Sequence, residues 1–317
     1  MPEDAHGTRR AAHDTRSRQY ISASMLILPA YAKLNLALEV VARRADGMHD
    51  IDSIVVRIDW HDLIGVTLLP VREPIRIVVT GSAATGVPTD ERNLGVRAAT
   101  ALLGSESAAA SAALWLEKRV PHAAGLGGGS ADAAAVMRVL ATLLARRGEP
   151  VAETQLLAVA SDVGSDVPAL LAGGAQRVGG RGDVVQPIDV PPLHVAVAMT
   201  TPSATGDVYA ALLPEERAGD GRVRRLATSL RDGGFDTTLL GSALEAAACR
   251  ANPDLARALV RARAVTPGDA WHLTGSGGAL FAVARDAAHA HSLAGAMMGA
   301  GFVARACRTI AAPGVAA

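Results

Sequence analysis

The stretch 121–132, P-H-A-A-G-L-G-G-G-S-A-D, is the feature that most limits how this chain can fold. Its three consecutive glycines lie between residues 113–120, which have the pattern of a strand, and residues 131–147, which have that of an alanine-rich helix. Glycine has no Cβ, so its backbone can approach a ligand closely, and the N-terminus of the following helix favours an anion. The sequence therefore predicts a strand, a tight loop and a helix in succession, an arrangement that suits the phosphates of a nucleotide.

The glycine-rich loop, defined here as residues 125–130, fits neither of two common nucleotide-binding motifs. Ser130 stands where the dinucleotide fingerprint G-x-G-x-x-G needs its third glycine, and the chain contains no G-K-S or G-K-T of a P-loop. Taken alone, the segment is also compatible with an ordinary strand-to-helix turn in which Ser130 is the N-cap. Both interpretations stay open from this segment alone.

The strand and helix patterns predict an α+β protein of two domains. A length of 317 residues exceeds the roughly 150 residues of an average domain. Strand patterns dominate residues 25–80, and a strand–strand–helix–strand pattern over 271–310 is typical of a split β-α-β arrangement. We place the boundary near Pro191-Pro192, which gives a mixed α/β domain over 25–190 and a second domain over 191–317. Residues 1–24 are polar and without periodicity, so we expect a disordered or non-native extension there.

Composition and charge exclude several classes of partner. Lys+Arg and Asp+Glu both number 31, and the chain has 3 Trp, 3 Tyr and 3 Phe, so we expect no binding of nucleic acid. No stretch approaches the roughly 18 uninterrupted apolar residues of a membrane span, so we expect no membrane partner. The two cysteines, Cys249 and Cys307, form no disulfide framework, which fits a cytoplasmic protein. The oligomeric state is not indicated by the sequence.

Two further segments become informative beside the glycine-rich loop. Residues 31–38 put Lys33 and Asn35 on one face of an apolar strand, although an exposed edge-strand lysine is an equally good interpretation of Lys33. Residues 273–279, L-T-G-S-G-G-A, contain a second glycine turn at Gly275, Ser276 and Gly277, which by itself indicates no more than a hairpin.

The three segments together resemble the motifs of the GHMP small-molecule kinases. That family's blocks A-x-A-K-[IL]-N-L-x-L, N-L-x-x-R-A, P-x-x-x-G-L-G-G-G-S-A and G-[AS]-D-V-P are matched in order, at residues 30–38, 93–98, 121–131 and 164–168. The resemblance spans residues 26–310 and implies an N-terminal ATP-binding GHMP kinase domain followed by a ferredoxin-like C-terminal GHMP kinase domain. A further block, R-A-D-G-M-H-D-I at 44–51, resembles R-x-D-G-Y-H-x-[IL] of those members that act on a cytidylyl alcohol.

The resemblance implies that Lys33 and Asp166 form the catalytic pair. The chemistry of the two side chains agrees, since a carboxylate can accept the proton of an attacking hydroxyl while an ammonium stabilises charge on the transferred phosphoryl group. The alternative for Asp166 is a structural N-cap before Pro168.

The same resemblance implies the remaining ligand contacts. ATP would be bound, with Mg²⁺, by Asn93, Lys118, Pro121, Ala124, Gly125, Leu126, Gly127, Gly128, Gly129 and Ser130; the protein ligands of the metal are not implied. The cytidylyl substrate would contact Asn35, Met48, His49 and Tyr209. In this scheme His49 bonds the cytosine edge and Tyr209 stacks on its ring. The alternatives are a surface histidine and a semi-buried core tyrosine.

Three departures from the family pattern bear on the substrate. Met48 stands where a tyrosine is usual, residues 241–245 replace an N-D-L-E block, and residues 179–183 match E-G-x-G-E only loosely. The resemblance still implies ATP-dependent phosphorylation of the 2-hydroxyl of 4-diphosphocytidyl-2-C-methyl-D-erythritol in the non-mevalonate isoprenoid pathway. The alternatives are a GHMP kinase acting on a different alcohol or sugar phosphate, and a non-catalytic nucleotide-binding regulator on the same scaffold.

Overall fold

Two long strands, β1 (Leu26–Arg43) and β2 (His49–Pro70), form the antiparallel hairpin on which the rest of the chain is assembled. The computed structural model describes residues 25–70, 73–106 and 110–311. The register of the hairpin shifts at three points along β1, between Tyr31 and Lys33, between Asn35 and Ala37, and between Val40 and Ala42. Such bulges redirect side chains locally, and here they flank the Lys33–Asn35 segment.

The other strands extend the hairpin into one continuous sheet. They are β3 (Arg76–Thr80), β4 (Ala110–Glu117), β5 (Ala175–Gly180), β6 (Val184–Pro187), β7 (His194–Met199), β8 (Gly241–Ser242), β9 (His272–Leu273), β10 (Ala279–Ala284) and β11 (Ala304–Ile310). The strand order is β3-β4-β2-β11-β7-β10-β9 within the described residues. In addition, β1 pairs with β2 and β8, and β5 pairs with β2 and β6.

The helices cover this sheet and surround the cleft described below. They are α1 (Leu94–Glu106), α2 (Gly128–Arg146), α3 (Glu153–Val163), α4 (Val167–Ala172), α5 (Thr205–Ala210), α6 (Arg222–Arg231), α7 (Glu245–Ala251), α8 (Pro253–Val265) and α9 (Ala287–Gly299). Short 3₁₀ turns occupy Pro214–Arg217 and Thr237–Leu239. One buried cluster joins α1–α4 to β2–β4, and another joins α5, α7, α8 and α9 to β7 and β10.

Helix α2 is largely buried. By length and mean hydropathy alone it could cross a membrane. Ser130, Asp132 and Arg138 interrupt its apolar residues, so it does not contradict the expectation that no stretch approaches 18 uninterrupted apolar residues. Its most apolar window is 61% buried inside the protein, which is the behaviour of a core helix.

The predicted α+β fold is confirmed, including the strand–strand–helix–strand tail, which the structure resolves as β9, β10, α9 and β11. Helix α2 begins at Gly128, three residues before the predicted start, and its N-cap, Gly127, has a left-handed backbone that glycine adopts readily. Ser130 therefore lies in the first turn, and its interpretation as the N-cap is wrong. The predicted extension over 1–24 lies outside the described residues.

The predicted division near Pro191-Pro192 is crossed by both hydrogen bonds and core contacts. The last strand, β11, pairs with β7 through Ala304–Arg308 and with β2 through Thr309 and Ile310. A third buried cluster mixes Leu34 and Ile58 of the first hairpin with Val197 and Phe281 of the C-terminal half. The two-domain division stays a prediction, but the halves share one sheet and one buried cluster.

Candidate active site

The glycine-rich loop, the Lys33 strand and the C-terminal glycine turn meet at one cleft of about 770 Å³. The cleft is lined by eleven of the residues singled out from the sequence. They are Lys33, Asn35, Met48, His49, Gly125, Gly127, Ser130, Asp166, Tyr209, Gly275 and Ser276.

Backbone contacts hold the three segments together. The Lys33 N–H donates to the carbonyl oxygen of Leu126 at 2.9 Å, which ties β1 to the glycine-rich loop. The Asn35 N–H donates to Thr274 Oγ1 at 2.9 Å, which ties β1 to the glycine turn. Gly125 has a φ of +70°, and a Cβ there would overlap the carbonyl oxygen of Gly277. The loop and the turn can approach this closely only because both are built from glycine.

Lys33 is buried, with 4% of its surface exposed, so the interpretation as an exposed edge-strand lysine is wrong. Its ammonium donates to Asn35 Oδ1 at 2.6 Å and lies 3.5 Å from Asp166 Oδ2. The Asn35 amide in turn donates to Ser53 Oγ at 2.8 Å, and that hydroxyl donates to the Ala37 carbonyl oxygen. This chain of hydrogen bonds fixes the lysine head at the floor of the cleft.

Asp166 occupies the N-cap position of α4, but its side chain makes no capping hydrogen bond. Its side chain is 43% exposed and lines the cleft beside Lys33. A carboxylate that only capped the helix would accept a backbone N–H of the first turn. Asp166 is therefore free to accept a proton from a group bound in the cleft.

The glycine-rich loop presents an uncapped helix end to the cleft. Gly127, with a φ of +65°, is the N-cap of α2 and offers no side-chain cap, and the first turn of α2 contains no acidic residue. The first N–H groups of a helix lack intrahelical partners, so they are available to an anion. A Cβ at Gly127 would lie 2.8 Å from Lys33 Cγ, so the loop lies directly against the lysine stem. The glycine-rich loop and the N-terminus of α2 therefore form a site that fits a phosphate chain.

Several residues predicted to contact ATP are not among the residues that line the cleft. They are Asn93, Lys118, Pro121, Ala124, Leu126, Gly128 and Gly129. The Asn93 side chain is occupied internally, accepting the N–H of Gly95 at 2.9 Å and donating to the carbonyl oxygen of Pro88 at 2.8 Å. Gly277, predicted as part of the glycine turn, packs beneath Gly125 and is likewise outside the lining.

Lys118 lies behind the glycine-rich loop, not in the cleft. Its ammonium bonds Asp62 at 2.5 Å and Asp132 at 2.8 Å, and all three side chains are buried. Burial lowers the pKa of Lys118, but the two carboxylates outweigh that effect and raise it above the ordinary value. Lys118 is not among the residues that line the cleft, and its ammonium lies against Gly128 of the glycine-rich loop, so its predicted contact with ATP stays a prediction.

At the other end of the cleft the rings of His49 and Tyr209 stack, with centroids 5.0 Å apart and planes inclined by 30°. His49 Nε2 is buried without a hydrogen-bond partner among the described residues. Burial, followed by the charges of Arg217 and Arg43, lowers the pKa of His49, so the ring is neutral at neutral pH. Burial, followed by the charge of Asp166, raises the pKa of Tyr209 to about 12. Both rings are therefore uncharged, and each covers one face of the other.

The sequence reasoning missed three arginines that line the cleft, Arg43, Arg181 and Arg217. Their guanidinium groups suit phosphate oxygens. Arg181 belongs to the loosely matching segment 179–183, which was the one available signal for it. Arg43 ends β1 and Arg217 ends a 3₁₀ turn, so no local pattern brings them together.

The oxygen-bearing side chains of the cleft determine whether a metal ion can bind there. No group of three His, Cys, Asp or Glu side chains within the described ranges is arranged to hold one. The cleft offers the Ser130 hydroxyl and the Asp166 carboxylate. Mg²⁺ that is bound mainly by substrate phosphates needs only one or two protein ligands, so these residues fit an ion that arrives with a nucleotide.

Comparison with known proteins gives the same family as the motifs. Residues 93–174 match the family described as GHMP kinases N terminal domain. A 4-diphosphocytidyl-2-C-methyl-D-erythritol kinase of Anaeromyxobacter dehalogenans is 38% identical over 275 residues, which cover 85% of this chain and 84% of that protein. A protein of the same name from Xanthobacter autotrophicus is 35% identical over 280 residues, 84% of this chain and 92% of its own. The crystal structure of a 4-(cytidine 5'-diphospho)-2C-methyl-D-erythritol kinase superposes with a TM-score of 0.71 at 32% identity, covering 90% of this chain and 100% of the other.

Proposed function

The chain belongs to the 4-diphosphocytidyl-2-C-methyl-D-erythritol kinases of the GHMP kinase family, and on that premise we propose how its own residues perform the reaction. The enzyme transfers a phosphoryl group from ATP to the 2-hydroxyl of 4-diphosphocytidyl-2-C-methyl-D-erythritol, in the non-mevalonate pathway to isoprenoid precursors. The observation that carries the residue assignment is the ion pair of Lys33 and Asp166, which faces the cleft between the glycine-rich loop and the His49–Tyr209 pair.

Asp166 is the general base. As the 2-hydroxyl oxygen attacks the γ-phosphorus, its proton passes to the Asp166 carboxylate, the new O–P bond forms and the bond to the β-phosphate oxygen breaks to release ADP. The neighbouring Lys33 ammonium stabilises the charge that develops on the transferred group.

The glycine-rich loop binds the triphosphate through backbone N–H groups at the start of α2. Mg²⁺ that enters with ATP would be held by the phosphates, with the Ser130 hydroxyl as the candidate protein ligand, and would neutralise charge on the β- and γ-phosphates. Asn35 holds the Lys33 ammonium in place. From that position the ammonium orients the γ-phosphate of ATP toward the Asp166 base. Catalysis here is largely positioning and electrostatics.

His49, Tyr209 and Met48 bind the cytosine. His49 Nε2 has no hydrogen-bond partner among the described residues and would bond the edge of the base, and the Tyr209 ring, which stacks on His49, would contact the base with its remaining exposed surface. Met48 is 47% exposed at the rim and offers a thioether, which packs against a ring without aromatic stacking.

We also expect the enzyme to work in the cytoplasm, without nucleic acid or membrane partners.

A second candidate is a GHMP kinase acting on a different alcohol. The observation in its favour is the altered block 241–245, where Ser242 donates to the carbonyl oxygen of Gly275 at 2.8 Å and so has a structural role. This block offers no amide or carboxylate to the cleft at the positions where the family pattern N-D-L-E has them.

An ADP-release assay with a panel of acceptors tests both candidates. We expect turnover with the cytidylyl methylerythritol and none above background with mevalonate, homoserine or galactose. The Asp166→Asn variant controls for ATP hydrolysis that does not involve an acceptor. Turnover of another acceptor, with none of the cytidylyl one, would contradict the assignment.

A further inference from the structure

The charged side chains that line the cleft are mostly positive. Among the described residues of the lining, Asp166 is the one acidic side chain, and it pairs with Lys33. The lining also contains Arg43, Arg181 and Arg217, none of which forms an ion pair with a described residue. The cleft therefore has an excess of positive charge. Unpaired guanidinium groups around a cleft attract a polyanion and suit phosphate oxygens.

Two of these arginines lie at the His49 end of the cleft. Arg43 is an exposed residue and is the register partner of His49 in the β1–β2 hairpin. Burial is the main cause that lowers the pKa of His49, and the charges of Arg217 and then Arg43 lower it further, so both guanidinium groups lie close enough to act on that ring. Arg43 and Arg217 therefore flank the proposed cytosine site.

The third arginine, Arg181, belongs to a loop that packs beside the proposed base. A Cβ at Gly182 would lie 2.3 Å from the carbonyl oxygen of Ser165, so the loop is in direct contact with the residue that precedes Asp166. We therefore associate Arg181 with the transfer end of the cleft and Arg43 and Arg217 with the cytidylyl end.

The guanidinium group of Arg217 is fixed but not fully used. Its Nη2 donates to the carbonyl oxygen of Leu212 at 2.7 Å. Its Nε is buried without a hydrogen-bond partner among the described residues, and Nη1 has no partner among them either. A buried donor without an acceptor is costly, and a guanidinium held by one nitrogen can offer the others to phosphate oxygens. Arg217 therefore has the properties of an anion-binding residue that is positioned before the anion arrives.

A buried carboxylate anchors the segment that carries Arg217. Glu39 on β1 is 4% exposed and accepts the backbone N–H groups of the three residues 221–223, where α6 begins, at 3.1 Å for the last two. A carboxylate suits the N-terminus of a helix, and these bonds tie the end of the Arg217 segment to the strand that also carries Arg43. Both arginines are therefore placed by β1, and such preorganisation lowers the cost of binding.

The cytidylyl substrate contains an anionic group at the corresponding place. Its diphosphate joins the ribose to the methylerythritol, so it must lie between the cytosine site at His49 and Tyr209 and the base at Asp166. The backbone N–H groups proposed for ATP are at the start of α2, whereas His49 and Tyr209 are at the other end of the cleft. The positive charge beside His49 is therefore better placed for the diphosphate than for the phosphates of ATP.

We propose that Arg217 and Arg43 bind the diphosphate of the cytidylyl substrate and make the cleft selective for a nucleoside diphosphate over a nucleoside. Arg217 supplies directed hydrogen bonds from a fixed guanidinium, and Arg43 adds a second charge from the end of β1. This inference rests on the proposed function, because it takes the cytosine site as its starting point.

Inhibition of the full-length enzyme by CDP and by cytidine, measured in the ADP-release assay with the cytidylyl substrate, tests the proposal. The two inhibitors differ only in the diphosphate, so the ratio of their inhibition constants measures what that group contributes. We expect CDP to compete with the cytidylyl substrate and not with ATP. It should bind the wild type at least about tenfold more tightly than cytidine does, because hydrogen bonds between charged groups are strong.

Arginine-to-methionine variants keep an apolar stem and remove the charge. We expect Arg217→Met to reduce the preference for CDP over cytidine at least about fivefold, and Arg43→Met at least about twofold. The inhibition constant of cytidine and the KM of ATP should both stay within about twofold, since neither depends on the diphosphate subsite. Arg224→Met is the matched control, because it removes an exposed arginine of α6 outside the cleft lining, and it should leave the preference unchanged.

A wild-type preference for CDP in either Arg217→Met or Arg43→Met would overturn the proposal. Equal inhibition of the wild type by CDP and cytidine, or competition of CDP with ATP, would overturn it as well. If Arg217→Met does not fold, as judged by circular dichroism, the exposed Arg43→Met decides the matter alone. Failure of both CDP and cytidine to compete with the cytidylyl substrate would instead contradict the proposed cytosine site.

Discussion

Lys33 Nζ on β1 lies 3.5 Å from Asp166 Oδ2, the carboxylate that precedes α4, although neither residue is near the other in sequence. The lysine is held on its other side by Asn35, so the pair has a fixed cation and a partly exposed anion. This asymmetry suits a base that must meet a substrate proton while its partner stays in place.

Replacing the base should abolish turnover without affecting nucleotide binding. We expect Asp166→Asn to lower kcat by about 10² to 10⁴-fold, because an amide cannot accept the hydroxyl proton. The KM for ATP should stay within about threefold. The ADP-release assay measures both, and Asp162→Asn, an exposed aspartate on the neighbouring helix, is the control. Wild-type kcat in Asp166→Asn would mean that the base is another group.

Replacing Lys33 should show that both its charge and its shape matter. Lys33→Met removes the cation, and we expect kcat to fall by at least about 100-fold. Lys33→Arg keeps the charge, but a planar guanidinium cannot reproduce the ammonium's bond to Asn35 Oδ1 together with its position beside Asp166. We therefore expect the arginine variant to remain more than about tenfold below the wild type. Full activity of Lys33→Arg would indicate that only the positive charge of the side chain matters and that its shape does not.

The glycines of the loop should differ in their tolerance of a methyl group. Gly125→Ala would force a left-handed residue into the Gly277 carbonyl, so we expect a loss of about 2 kcal/mol or more in the free energy of unfolding. Gly129→Ala meets only Leu94 Cδ1, at 3.6 Å, within a helix, where alanine is favoured by up to about 1 kcal/mol. Thermal unfolding of the two variants should give shifts of opposite sign. Equal shifts would contradict the backbone-to-backbone packing of the loop and the turn.

Met48→Tyr should improve binding of the cytidylyl substrate. Met48 is exposed at the cleft rim, so there is room for a ring, and an aromatic contact adds about 0.5 to 1.5 kcal/mol. We expect the KM of the cytidylyl substrate to fall by about 2- to 10-fold and the KM of ATP to stay unchanged. Tyr209→Ala, which removes the aromatic ring at the other position, should raise the KM of the cytidylyl substrate. If neither change affects it, the base is bound elsewhere.

Acidification should weaken substrate binding through His49. Burial and two nearby arginines lower the pKa of this ring below the ordinary histidine value of about 6.5, so it binds neutral. We expect the KM of the cytidylyl substrate to rise as the pH falls through the lowered pKa. His49→Gln should bind more weakly but lose this dependence. The same acidic rise in the glutamine variant would assign the titration to another group.

The sequence predicted those parts of the cleft in which one short motif determines both the local backbone structure and the chemically active side chains. Lys33 and Asn35 alternate on one strand, so their common face followed from the strand period, and the glycine run predicted a strand–loop–helix unit. The position of Lys118 could not be predicted in this way. Its partner Asp62 is one of several polar residues in the regular alternation of β2, and nothing local distinguishes it as the one that is buried.

Residues contributed by irregular segments were also inaccessible to pattern reasoning. Arg217 reaches the cleft from a 3₁₀ turn, and α2 begins three residues earlier than predicted, inside the glycine run. Both depend on how distant parts of the chain pack, which periodicity does not encode.

Strand β11, which hydrogen-bonds to both β2 and β7, has a consequence for synthesis on the ribosome. The hairpin that carries Lys33 is made first, yet the edge of β2 at Arg57 and Ile58 gains its neighbour only when Thr309 and Ile310 have emerged. The nascent chain therefore exposes an open strand edge at this point until β11 has been made, and such edges are sites of misassembly.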